Sequence, residues 1–221
     1  MPDADYAPDF LFDGPTGETD SPILALAHGA GGAMDSPFLK IIAQQVGEAG
    51  IRVARFEFPY MQARRLDGKR RPPNGARTLE QAWATVIEKL TEPLLDDGGQ
   101  RLVIGGKSMG GRIASMVADS QGVAGLVCLG YPFHPPGKPE KTRTAHLADL
   151  RTPTLILQGE RDALGSREDV AGYILSPAIE VRWLGDGDHS LKPRKRSGRT
   201  EAENLREASD AIVAFVRGLD A

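Results

Sequence analysis

Short continuous apolar runs alternate along this chain with stretches in which apolar residues recur every three or four positions. The run Ile23-Leu24-Ala25-Leu26-Ala27 is apolar throughout, as expected of a strand covered on both faces. Residues 10–12 read as a short opening strand, ended by the turn Asp13-Gly14-Pro15. Residues 51–58, 102–104, 123–129, 153–157 and 179–184 read as further strands. In the last of these, Ile179, Val181 and Trp183 alternate with Glu180 and Arg182. That half-exposed pattern puts it near a sheet edge.

The intervening stretches have helical periods. Ser36-Pro37 offers an N-cap and a proline at the first helical position. Phe38, Ile41, Ile42, Gln45 and Val46 follow at helical spacing, and Gly50 stops the run. Thr78-Leu79-Glu80-Gln81 has the spacing of a capping box. Behind it, Leu79, Trp83, Val86, Ile87 and Leu90 form one apolar face, ended by Pro93. A helix after Ser108 carries Ile113, Met116 and Val117 on one side. Thr200 and Glu203 cap a final helix with Leu205, Ala208, Ile212, Phe215, Val216 and Leu219 inward. Strands alternating with helices imply an α/β fold, a mostly parallel sheet with helices on both faces. Such sheets hold ligands beyond the carboxyl ends of their strands.

The candidate chemistry falls at those ends. Gly106-Lys107-Ser108-Met109-Gly110 fits G-x-S-x-G, directly after an apolar strand and before a helix. That is the context of a nucleophile elbow, where a serine is held in a strained turn and glycines avoid collision across it. A serine hydroxyl needs a base in contact and a group that orients the base. His189 lies just after the last strand in Gly185-Asp186-Gly187-Asp188-His189, where a glycine-rich loop can swing back over the sheet. It is the expected base among His28, His134, His146 and His189. The acid is expected after the preceding strand, and Asp162 ends the turn Gly159-Glu160-Arg161-Asp162. Glu160, Asp186 and Asp188 are the alternatives, the last two better suited to turn formation. An oxyanion hole needs two N–H groups aimed at developing charge. Met109 is one expected donor. Ala30 is the other, with Gly31 as fallback, in the loop His28-Gly29-Ala30-Gly31-Gly32. His28 is expected to brace that loop. His134 and His146 are read as structural. Tyr60, Gly31 and Lys107 are candidate substrate-binding residues, with packing beneath the elbow as the other reading of Lys107.

Composition narrows the class further. The 221 residues suit one domain, with residues 1–9 as a flexible or loosely docked N-terminus. A net charge of −3 gives no bulk attraction for nucleic acid or membrane. Apolar runs are strand-sized, and the acidic start MPDADYAPDF has no cationic or apolar leader pattern. The single cysteine, Cys128, sits in a predicted strand and reads as a buried, inert thiol. A reducing cytoplasm fits these features. Neither metal nor cofactor is implied, because one cysteine and scattered histidines lack metal-site spacing.

The motifs HGAGG, RFEFPY, GGKSMGGR, GYPFHPPGKPEK, LQGERD and GDGDHSLKP together resemble the α/β-hydrolase superfamily. The resemblance covers nearly everything after residue 10. It is strongest to small lidless serine hydrolases of the dienelactone-hydrolase-like and testis-expressed protein 30 type, and to the hydrolase-like domain of a chromatin-complex (NSL) subunit. It implies Ser108 as nucleophile, Asp162 as acid and His189 as base. Dienelactone hydrolases proper use cysteine where this chain has Ser108, so dienelactone is not implied as substrate. The expected activity is carboxylesterase-like cleavage of a small ester, neutral or anionic. A thioesterase, a peptidase or a non-catalytic partner-binding protein on the same fold are the alternatives.

Residues 131–150 are too short and proline-rich for a folded cap, so an open site without a cap domain is expected. Two basic stretches flank that site. Arg64, Arg65, Lys69, Arg70, Arg71 and Arg77 lie in 62–77, and Lys192, Arg194, Lys195, Arg196 and Arg199 in 192–199. They are read as two loops, either solvated or forming a rim that attracts anions.

Overall fold

β2 (Ile23–Ala27), β4 (Leu102–Lys107), β5 (Gly125–Leu129) and β6 (Thr154–Gly159) are buried along almost their whole length. Strands of this kind need a helical layer on each face, and the computed structural model of the protein supplies both. It describes residues 6–16, 22–91 and 101–219. Seven strands follow the order β1-β3-β2-β4-β5-β6-β7, with β3 at Val53–Phe56 and β7 at Ile179–Leu184. All neighbours are parallel except β1 (Phe10–Asp13), which pairs antiparallel with β3. β7 forms an edge, as its alternation predicts.

Alternate strand positions feed two cores. Ile23, Ala25 and Ala27 join Trp83, Ile113 and Leu126 on one face, under α3 (Ala76–Thr91) and α4 (Met109–Gln121). Leu24 and Leu26 join Leu39, Ile42, Leu205 and Ile212 on the other, under α1 (Pro37–Glu48) and α6 (Glu201–Gly218). Thr200 accepts from the Glu203 N–H while the Glu203 carboxylate accepts from the Thr200 N–H, so the expected capping box closes.

Several local expectations are corrected. β3 is shorter than residues 51–58, because the chain turns at Phe58 into α2 (Pro59–Asp67), which the sequence reading missed. Pro59 sits at its first position, where a missing N–H costs nothing. The 62–77 stretch is therefore partly helical. α3 begins two residues before Thr78, so Thr78 lies inside it and forms no cap. Ser36 makes no side-chain cap. Ile41 and Met116 face solvent, and Leu39 and Ala114 take the buried positions. Residues 131–150 form turns and one short 3-10 segment, Ala145–Leu147. Residues 6–9 are not loose: the Tyr6 hydroxyl donates to the Glu57 carbonyl at 2.7 Å, and Pro8 is buried. Residues 1–5 and Pro93 lie outside the described residues.

The antiparallel edge is fastened by a buried charge. Arg55 on β3 is 5 % exposed and donates Nε and Nη2 to Asp13 Oδ2 at 3.0 and 2.7 Å, and Nη1 to the Met34 carbonyl at 2.8 Å. Removing one partner strands a buried cation. Asp13→Ala is expected to cost about 3–5 kcal/mol in urea unfolding, with much of the loss recovered in Asp13→Ala/Arg55→Met. Equal stability of the single and double variants would contradict the assignment.

Candidate active site

β4 leaves the sheet between the ends of β2 and β5, and Ser108 is the first residue beyond it. Its backbone is left-handed, with φ 52° and ψ −114°. For a non-glycine residue this strain costs of order 1–3 kcal/mol and persists only where the surroundings impose it. The surroundings are close. A Cβ on Gly106 would collide with the Ala27 carbonyl oxygen, and one on Gly110 would stand 2.6 Å from the same atom. The motif glycines thus clear the end of β2 rather than only each other. The Ser108 N–H donates to the Leu129 carbonyl at 2.9 Å, and its carbonyl accepts from the Arg112 N–H at 2.9 Å.

The chain then brings the expected partners to this serine. His189 Nε2 lies 2.9 Å from Ser108 Oγ, and His189 Nδ1 lies 2.8 Å from Asp162 Oδ2. An ionised Asp162 can only accept, so Nδ1 carries the proton and Nε2 accepts from the serine. Asp162 is 1 % exposed and fully engaged. Gln158 Nε2 donates to Oδ2 at 2.9 Å and the Leu164 N–H donates to Oδ1 at 2.8 Å. The alternatives do other things. Glu160 pairs with Arg167 and accepts from the Asp186 N–H. Asp186 holds Arg194 and Arg161, and Asp188 accepts from the Ser190 and Lys192 N–H groups, in the turn roles expected of them.

The loop after β2 runs beside the elbow: a Cβ on Gly29 would lie 3.6 Å from Ser108 Cβ. His28 braces it as expected. Its Nδ1 donates to the Gly29 carbonyl at 2.8 Å and its Nε2 accepts from the Phe58 N–H at 3.1 Å. Burial lowers its pKa, which keeps the ring neutral and this bonding pattern intact. Tyr60 is corrected. Rather than lining an open pocket, it is buried behind this loop and donates its hydroxyl to the Ala30 carbonyl at 3.0 Å. Desolvation pushes that phenol up to about 12. Ala30 and Gly31 are exposed, Met109 half-buried. Gly31 borders a cavity of about 250 Å³ with Ala33, Asp35, Glu57, Met61, Arg64 and Arg65.

Gln158 was missed by sequence reasoning. It ends the apolar run Leu155-Ile156-Leu157 inside a fully buried strand, and a buried amide must have partners. Besides Asp162, it accepts from the Tyr131 N–H at 2.7 Å and donates to the Gly165 carbonyl at 3.0 Å. That polar residue in an apolar strand was the available signal. Lys107 resolves toward support: its Nζ donates to the His189 carbonyl at 2.6 Å and stands 5.6 Å from the Phe38 ring. Cys128 is buried, and burial raises its thiol pKa. His134 binds the Pro135 carbonyl and His146 the Ser115 hydroxyl, and neither is hydrogen-bonded to Ser108.

Much of the basic charge is locally neutralised. Arg65 pairs with Glu57 and Asp35, Arg71 with Asp67, Lys192 with Glu201, Arg194 with Asp186 and Arg199 with Glu207.

Comparison with known proteins matches residues 20–217 to a family model described as alpha/beta hydrolase domain. Solved structures of similar fold include an alpha-beta serine hydrolase homologue from Coxiella burnetii, at TM-score 0.68 and 20% identity, over 94% of this chain and 90% of that one. A serine hydrolase without lid from Xanthomonas campestris aligns at TM-score 0.67 and 19% identity, over 94% and 88%. A dienelactone hydrolase from Anabaena variabilis aligns at TM-score 0.69 and 20% identity, over 94% and 91%. Identities this low establish the fold.

Desolvation brings the Lys107 ammonium down to about 8, against the opposing pull of Asp162 and Asp188. Between that value and the ordinary lysine range the unfolded chain binds more protons, so folded stability rises with pH there. The melting temperature of the wild type relative to Lys107→Met is therefore expected to rise between about pH 8 and pH 10.5. A flat difference across that window would show that the ammonium is solvated.

Proposed function

We propose a function from one premise: this chain belongs to the alpha/beta hydrolase domain family. Its fold is one that supports hydrolase activity. Within that class we read the protein as a serine hydrolase that cleaves an ester-type acyl bond of a small molecule through an acyl-enzyme. The observation that carries the reading is the unbroken chain Asp162–His189–Ser108, at 2.8 and 2.9 Å.

The chemistry follows from that chain. His189 Nε2 takes the Ser108 proton as Oγ bonds to the carbonyl carbon, and the carbonyl electron pair moves onto oxygen. The N–H groups of Ala30 and Met109 are the assigned donors to that oxyanion. Collapse re-forms the carbonyl and breaks the bond to the leaving oxygen, which receives the proton from His189. Water then enters by the same route in reverse order, its proton passing to His189 and onward to Ser108 as the acid departs. Asp162 holds the imidazole tautomer and stabilises the transient cation without taking a proton. Tyr60 positions Ala30 through its carbonyl, and Gln158 positions Asp162.

A fluorophosphonate probe is expected to label the wild type at one site and to leave Ser108→Ala unlabelled. Absence of labelling in the wild type, or labelling that survives Ser108→Ala, would sink the assignment. Asp162→Asn keeps an oxygen for the Leu164 N–H but can present the wrong hydrogen-bonding group to Nδ1. Acylation is expected to fall roughly 10³–10⁴-fold with little change in unfolding midpoint. A mild effect would move the acid elsewhere.

A further inference from the structure

One turn into α4, Arg112 carries a guanidinium with no ion pair among the described residues. Its Nε is buried and has no hydrogen-bond partner. Across from it, on the segment that follows β5, lies Arg143, equally without an acidic partner among the described residues. That segment is pinned at this point: the Arg143 N–H donates to the Phe133 carbonyl at 2.7 Å, and the buried Tyr131 hydroxyl donates to the Arg143 carbonyl at 2.9 Å. The Arg143 pKa is lowered first by desolvation and then by Arg112.

A third basic group completes the cluster. The Ser115 hydroxyl donates to the Arg112 carbonyl at 2.7 Å and lies 2.8 Å from His146 Nε2. Its proton being committed, it accepts from His146, which places the imidazole proton on Nε2 and leaves Nδ1 without one in the neutral ring. Desolvation, then Arg112, lowers the His146 pKa. Three basic residues thus surround Ser115 and the Tyr131 hydroxyl, and none is paired with a carboxylate among the described residues. Arg55 and Arg65, by contrast, each meet an acid. A buried N–H with no acceptor is destabilising, and like charges add to that. An anion would relieve both.

We propose that Arg112 and Arg143, with His146 beside them, form a subsite for an anionic group. Arg112 lies four residues beyond Ser108, one turn into the helix that Ser108 caps, and its N–H donates to the Ser108 carbonyl at 2.9 Å. The assignment of that anion to the substrate rests on Ser108 being the nucleophile. The substrate class is then an acyl donor whose second, charged end lies a few bonds from the scissile carbonyl. A carboxylate and a phosphate share the chemistry that two guanidinium forks recognise.

Binding separates this subsite from the hydrolase reading. Inorganic phosphate and succinate are titrated calorimetrically into Ser108→Ala at constant ionic strength held with sodium chloride. Saturable binding is expected for at least one, and the tighter of the two identifies the head group. Arg143→Gln and Arg112→Gln should each weaken it about tenfold, the loss of one charge-assisted contact. Arg143→Lys, which keeps the charge, should recover part of that loss and controls for folding. Absence of saturable binding, or unchanged binding in both glutamine variants, overturns the subsite. In the active enzyme, the ratio of kcat/KM for a hemisuccinate ester over a matched neutral ester should fall about tenfold in Arg143→Gln. Anion binding without Ser108-dependent hydrolysis would reject the hydrolase reading and keep the subsite. Hydrolysis whose anion preference is unchanged in Arg143→Gln would do the opposite.

Discussion

The close crossing of α4 over the end of β2 is the constraint on which the rest of the site depends. The Ala27 carbonyl presses into the space where side chains at Gly106 and Gly110 would stand. With those side chains absent, the helix starts directly against two strand ends, and Ser108 must take a left-handed backbone to make the turn. That strain is paid for by packing on both sides: Ile104 before it and Ile113 after it are both buried in one core. Two things follow from the same geometry. The serine hydroxyl is lifted clear of the sheet, and the loop after β2 is brought alongside it.

A serine fixed this rigidly can serve as a nucleophile only if its partners are fixed as well, and they reach it from separate parts of the sheet. Asp162 follows β6 and His189 follows β7, so each could drift independently. Buried polar groups prevent this. Gln158 ties Asp162 to Tyr131 and Gly165, and Lys107 reaches from beneath the elbow to the His189 carbonyl. Lys107, the residue before Ser108, thereby supports the residue hydrogen-bonded to Ser108. Each tie has the cost of burying a polar or charged group, which is offset only while all its partners are present. The supporting shell is therefore expected to be less tolerant of substitution than the open face of the site.

The sequence was most legible where one physical rule acted alone. Continuous apolar runs gave the parallel strands, and the capping pair Thr200 and Glu203 marked the start of α6. Ser108, Asp162 and His189 could be placed because chain order and strand ends restrict each to one loop. Legibility failed where tertiary packing overrode a local signal. Thr78 carries a capping pattern, yet Leu79 continues a helix already begun at Ala76, with its N–H on the Gly75 carbonyl. Nor could α2 be read from periodicity, because it is short and charged; only Pro59 at its start and the left-handed Gly68 at its end mark it. Tyr60 was misplaced for the same reason: once Phe58 turns into a helix, the phenol swings behind the Ala30 loop. Gln158 was overlooked because the strand containing it was judged by its apolar majority.

Charge shows the same difference between a count and an arrangement. Eleven basic residues in two stretches look like a rim that attracts anions. Five of them meet acids, Arg65, Arg71, Lys192, Arg194 and Arg199, most at exposed sites where pairing is worth little to stability but cancels the local field. Of those left over, all but the partly buried Arg64 stand in solvent, where salt screens them within about 10 Å. Arg112 and Arg143 belong to neither stretch, and no local density of charge draws the eye to them. In the proposed subsite they count because both are partly buried and neither meets an acid among the described residues, so their charge is screened less than that of the surface arginines. Selection for an anion by this protein would then depend less on steering from the rim than on Arg112 and Arg143, the first of them one helical turn beyond Ser108.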